Sequence, residues 1–172
     1  EGQPLGLPMA FGGPYLGFMA CREKMMRKLP GRIVGQTVDA DGKTGYVLTL
    51  QAREQHIRRE KASSNICSNQ ALCALAVGVY LAAMGNEGLE KAATQCMSKA
   101  HYLADQLTGA GFAVENKGDF FHEFVTVSSK DTNKVLAALE KENILGGQKL
   151  DDHRILWCCT EMNTKEDMDL LV

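Results

Sequence analysis

Apolar residues recur at helical spacing over two adjoining stretches in the middle of the chain. Residues 66–84 include Ala71, Cys73, Ala74, Ala76, Gly78, Ala82 and Ala83. A helix so dense in small side chains lets another backbone approach closely, and the expectation is a helix buried between layers. Gly85 closes it. Residues 87–107 then place Leu89, Ala92, Ala93, Cys96, Ala100, Leu103 and Leu107 at helical spacing, before Gly109 and Gly111 stop the run. Short strand-like runs follow at 112–115 and 123–127. A helix is predicted over 132–143 with Val135, Leu136 and Leu139 facing inward, and a strand over 155–160. Thr164 and Asp167 carry the spacing of a capping box, so another helix starts there. Helix, strand, strand, helix, strand is the order of a two-layer α+β unit, assigned here to residues 87–172.

The pattern over 1–86 is different. Residues 1–17 hold five glycines and three prolines and read as loop, with close backbone approach at Gly12-Gly13. Residues 15–21 read as a buried strand. Residues 23–29 form a short helix that Pro30-Gly31 stops. Residues 33–50 form a hairpin about Asp41-Gly42, a pair suited to a type I′ turn. Gly42-Lys43-Thr44 matches the end of a phosphate-binding loop, but Thr37 stands where that loop needs its first glycine. Asp39 and Asp41 have calcium-loop spacing, but Thr44 stands where the sharp turn needs glycine. Both motifs fail and the hairpin remains.

Composition narrows the classes. The chain has 172 residues, 45% hydrophobic and 23% charged, with a net charge of −2. These values exclude a disordered tail, a disulfide miniprotein and a strongly basic nucleic-acid module. The longest apolar tract, 71–84, is shorter than the ~20 residues of a membrane span, so no membrane partner is expected. Charge is uneven: residues 22–61 carry ten basic and five acidic side chains, or +5, and the remainder nine and sixteen, or −7. Such a segment can steer an acidic partner or an anion.

Six cysteines show no C-x-x-C, and no Cys/His pair has zinc-ligand spacing, so no metal ligand is assigned. Buried thiols in a reduced, cytoplasmic protein are expected instead. Neither G-x-S-x-G nor H-E-x-x-H is present. His56 stands apart from the other histidines, because it lies in the polar, basic run 51–65 where a loop meets a rigid helix. There is no initiator Met, and the last helix runs for little more than a turn, so a piece of a longer protein is expected.

Three stretches carry a family resemblance. They are Phe11-Gly12-Gly13-Pro14-Tyr15-Leu16-Gly17, then Leu29-Pro30-Gly31-Arg32-Ile33-Val34-Gly35 leading to Asp39, and then the run from Leu50 to Ala62 with Ser64-Asn65-Ile66-Cys67. Together they resemble the P-protein of the glycine cleavage system, glycine dehydrogenase (decarboxylating). More narrowly they resemble the later part of subunit 1 of its two-subunit bacterial form.

The resemblance implies an α/β fold: the end of an aminotransferase-like large domain of fold type I over residues 1–86, then a small C-terminal α+β domain over 87–172. It implies pyridoxal phosphate, held as a Schiff base by a lysine of subunit 2. It also implies glycine as substrate, and the lipoyl arm of H-protein as acceptor of the aminomethyl group after decarboxylation. Counting back from the Gly12-Gly13-Pro14 turn, as the family's lysine precedes its comparable turn, lands on Gln3. A carboxamide forms no imine, so no catalytic residue is expected in this chain. The candidates for completing a site at the subunit interface are Gly12, Gly13, Pro14, Arg53, His56, Arg58 and Asn65. Glycine N–H groups can meet an anion, the arginines can grip a carboxylate or phosphate, and the imidazole can relay a proton. The basic segment 22–61 is the expected docking element for H-protein. The competing readings are a non-catalytic scaffold for subunit 2 and another fold type I pyridoxal-phosphate enzyme.

Overall fold

The structure is a computed structural model and describes residues 1–30, 33–50, 54–62, 70–116 and 118–172. The described chain divides into two compact units, Glu1–Ala83 and Met84–Val172.

The first unit is mostly irregular. A 3₁₀ helix spans Glu23–Lys28, and α1 is a single turn over Gln55–Arg58. The hairpin forms as expected, with β1 over Ile33–Val38 and β2 over Thr44–Thr49, antiparallel from Ile33 opposite Thr49 to Val38 opposite Thr44. Its turn is not type I′. Asp39 N–H donates to Lys43 O at 2.8 Å, and only Gly42 of the loop has positive φ, at 76°. This is the three-residue loop whose last residue takes the left-handed position. The Asp39 carboxylate drives the choice: its Oδ1 accepts from both Asp41 N and Lys43 N at 2.9 Å.

Two expectations fail in this unit. Residues 15–21 form no strand, and Phe18, Met19 and Cys21 are exposed. A strand needs a ladder partner, and the backbone bond described here is Gly2 N–H to Leu16 O at 2.6 Å. Helix α2, Ala71–Gly109, is apolar but not buried over its first half. Ala71, Ala74, Gly78, Ala82 and Ala83 are exposed, Leu75 is 65% exposed, and only Val77 is buried between 71 and 84. Residues 66–69 of the expected helix lie outside the described residues. Length and hydropathy alone would let α2 cross a membrane, since an 18-residue window reaches a mean hydropathy of 1.4. Gly85, at φ 60° and ψ −175°, divides it into two helices, as the sequence predicts.

The second unit, Met84–Val172, contains that break. Strands β3 (Ala113–Val114), β4 (Glu123–Val127), β5 (Gln148–Lys149) and β6 (Arg154–Cys158) form an antiparallel sheet in the order β3-β4-β6-β5. Helix α3 spans Thr132–Lys141, and α4 spans Lys165–Leu171. Alternation along β4 and β6 turns Phe124, Thr126, Ile155 and Trp157 to the core. There they meet Ala100, Leu103 and Leu107 of α2 and Met168 of α4. Asp131 caps α3, and Thr164 with Asp167 closes a capping box on α4.

Candidate functional site

The N-terminal loop is built around glycines whose space is already occupied. Leu5 N–H donates to Gly2 O and Leu7 N–H to Gln3 O, coiling the first residues. Gly6 has φ +85°, and a Cβ there would sit 2.6 Å from the Tyr80 ring, so the loop closes directly on α2. Gln3 is half-buried in this coil, and its Nε2 donates to Leu7 O at 2.8 Å.

The Gly-Gly-Pro motif forms a tight turn. Gly13 N–H donates to Ala10 O at 2.8 Å, with Phe11 at φ 44° and Gly12 at φ 94° between them. Two successive positive φ values make this the primed kind of turn. Phe11 is a non-glycine residue in the left-handed region and is 90% exposed. Nothing lies within 4 Å of where a Gly12 Cβ would stand, so this backbone is open to a group from outside. Two bonds hold the turn: Ala10 N–H donates to Tyr15 Oη at 2.8 Å, and Cys73 Sγ donates to Pro14 O at 3.6 Å.

His56 and Arg58 share α1 and are both exposed. Two residues apart on a helix, they do not face each other. The turn is preceded by buried Glu54 and followed by Arg59 at φ 54°, a position that strains a side chain with a Cβ. Arg53 and Asn65 lie outside the described residues.

The cysteines divide by environment, and none of those described is in a disulfide. Burial pushes the Cys159 thiol up to about 11, so it is protonated at neutral pH and is no nucleophile. Cys96 is also raised, first by burial and then by the Glu161 carboxylate that its Sγ meets at 3.2 Å. Cys21 and Cys158 are exposed, against the expectation that the thiols are buried. His101 is half-buried rather than free on the surface: its ring stacks on Phe120 at 4.1 Å, and its Nε2 lies 3.0 Å from Phe120 O.

One grouping was not anticipated from the sequence. A ring nitrogen of His122, a carboxylate oxygen of Glu123 and Sγ of Cys158 all lie within 4.8 Å of one another. Glu123 and Cys158 are direct partners across β4 and β6. Only strand register brings them together, and no spacing along the sequence signals it.

The chain is mixed α/β, and solved structures share its fold. A solved glycine decarboxylase (P-protein) of the glycine cleavage system, in inhibitor-bound form, superposes with a TM-score of 0.88 at 43% identity, over 99% of this chain and 40% of its own. A NifS-like protein shares the fold alone, with a TM-score of 0.50 at 14% identity over 66% of this chain and 34% of its own.

A family model described as glycine cleavage system P-protein matches residues 1–172, and the chain belongs to that family. The probable glycine dehydrogenase (decarboxylating) subunit 1 of Desulfitobacterium hafniense is 54% identical over all of this chain and 40% of its own length. The protein of the same description from Moorella thermoacetica is 55% identical over the same shares. The chain thus spans about 40% of the length of the curated relatives it matches.

The family implies pyridoxal phosphate. Covalent attachment needs an amine, whereas Gln3 offers a carboxamide already donating to Leu7 O. Position 3 therefore does not fit covalent attachment. The open Gly12 backbone suits a contact with an anionic group and no more.

Proposed function

We propose that this chain is the later part of subunit 1 of a glycine dehydrogenase (decarboxylating) and works only with subunit 2. The pair decarboxylates glycine and passes the aminomethyl carbon and nitrogen to a sulfur of the lipoyl arm of H-protein. The lipoyl disulfide is reduced in that transfer, and carbon dioxide leaves. The observation that carries the reading is the match of the P-protein family over all 172 residues, with relatives above 50% identity described as subunit 1.

In this reading the cofactor's lysine belongs to subunit 2, and residues 1–86 and 87–172 are the end of the large domain and the small domain. The Gly12-Gly13-Pro14 turn presents backbone N–H groups to a negatively charged group at the subunit interface. Arg58, with Arg53, grips a carboxylate or phosphate, His56 moves a proton, and Asn65 supplies a neutral hydrogen bond. The exposed first half of α2 is a buried helix of the complete subunit, covered by chain beyond these residues. The enzyme is placed in the cytoplasm, and the basic segment 22–61 meets H-protein.

The test is reconstitution. Full-length subunit 1, subunit 2 and lipoylated H-protein are assayed for exchange of labelled bicarbonate into glycine. Activity should require both subunits, and Arg58→Gln should lower turnover without changing assembly. Full activity from either subunit alone contradicts the reading.

A further inference from the structure

We propose that His122, Glu123 and Cys158 form a binding site for one divalent cation of the zinc type, where β4 begins and β6 ends. Their donor atoms, one nitrogen, one oxygen and one sulfur, all lie within 4.8 Å of one another. Tetrahedral zinc takes these three donor types at about 2.0–2.3 Å, so its donors stand roughly 3.3–3.7 Å apart. Closing the remaining ångström is side-chain rotation, because Glu123 and Cys158 are exposed.

A second observation points to a ligand independently of the spacing. His122 Nδ1 is buried and has no hydrogen-bond partner among the described residues. A buried ring nitrogen left alone loses its water without replacement, a cost that a cation bound at that nitrogen removes. The backbone is already fixed for the purpose. Glu123 and Cys158 pair directly across the two central strands, so their side chains leave the same face of the sheet. Cys159 N–H donates to His122 O at 2.9 Å, which extends the ladder by one residue and ties His122 to the same strand end.

The pattern also selects the thiol. Cys159, next in sequence, is turned into the core with Trp157 and Met168, whereas Cys158 faces out beside Glu123. Binding exchanges the thiol proton for the metal, and the proton goes to solvent. Three protein donors leave one position of a tetrahedron for water.

Cobalt(II) is the probe, titrated into the full-length polypeptide under reducing conditions. The expected result is one equivalent per chain, with a thiolate-to-cobalt charge-transfer band that zinc displaces. Cys158→Ser should abolish the band. His122→Ala and Glu123→Gln should each weaken binding by about tenfold or more, and Cys21→Ser should leave it intact. Circular dichroism confirms that each variant is folded, and Glu123→Gln provides a second reading if His122→Ala is not. No charge-transfer band at one equivalent, or a band that persists in Cys158→Ser, overturns the proposal.

Discussion

Thr126→Val replaces a buried hydroxyl with a methyl of nearly the same shape, and the structure says what is lost. Thr126 is 1% exposed on β4, and its Oγ1 accepts the indole N–H of Trp157 at 2.7 Å. Trp157 is 3% exposed and sits among Phe124, Ile155 and Leu103, so water cannot take the place of the hydroxyl. Leaving a buried donor unpaired costs about 1–3 kcal/mol. The new methyl returns at most about 0.8 kcal/mol through burial. The net loss should be roughly 1–2 kcal/mol, and each kcal/mol lowers Tm by about 4–8 °C in a unit of this size. The assay is chemical denaturation of four proteins: the parent, Thr126→Val, Trp157→Phe and the double variant. In the Trp157→Phe background the donor is already gone, so Thr126→Val should cost less there, with a coupling of about 1 kcal/mol. A neutral Thr126→Val, or an equal cost in both backgrounds, would refute the argument.

A Cβ at Gly147 would stand 2.4 Å from Leu156 O and 2.6 Å from Ile155 Cγ2, so Gly147→Ala should destabilise by about 1–3 kcal/mol in denaturant melts. Gly45→Ala, on β2 with nothing within 4 Å, is the control and should be near neutral. The Asp131 carboxyl is held below its ordinary range, first by the Lys134 N–H and then by the Asn133 N–H at the start of α3. Its stabilisation is therefore complete above the unfolded carboxyl pKa and is lost as pH falls through the folded one. Asp131→Asn keeps a cap without a titrating group, and thermal melts on the acid side should lose that part of their pH dependence. Ala74 is exposed, so Ala74→Leu should change the stability of this 172-residue chain by no more than about 0.5 kcal/mol, as urea melts would show.

What could be read from the sequence had a local cause. The hairpin, the α3 and α4 starts and the Gly85 break all follow from residues a few positions apart: Asp39 with Lys43, Thr164 with Asp167, one glycine ending a helix. What could not be read depends on partners. Two-residue β5 has no periodicity of its own and exists because Gln148 and Lys149 pair with Leu156 and Ile155. The expected strand at 15–21 has the right composition but finds no neighbouring strand among the described residues. The small-residue helix invites a close neighbour, which the described residues do not supply to Ala74 or Gly78. The candidate site divides the same way. The turn forms at the Gly-Gly-Pro motif, but its two positive φ values fall on Phe11 and Gly12, so the glycine pair does not by itself locate it. The juxtaposition of His122 and Glu123 with Cys158 is a product of β4–β6 register, invisible to motif spacing.

The central claim of the proposed function is that residues 1–172 supply no lysine to the cofactor. Full-length subunit 1, purified without its partner, is incubated with pyridoxal phosphate, reduced with borohydride and mapped by peptide mass spectrometry. The account predicts at most sparse modification scattered over exposed lysines such as Lys24 and Lys28, and no stoichiometric adduct on any lysine of residues 1–172. A stoichiometric adduct on a single lysine of residues 1–172 would contradict it.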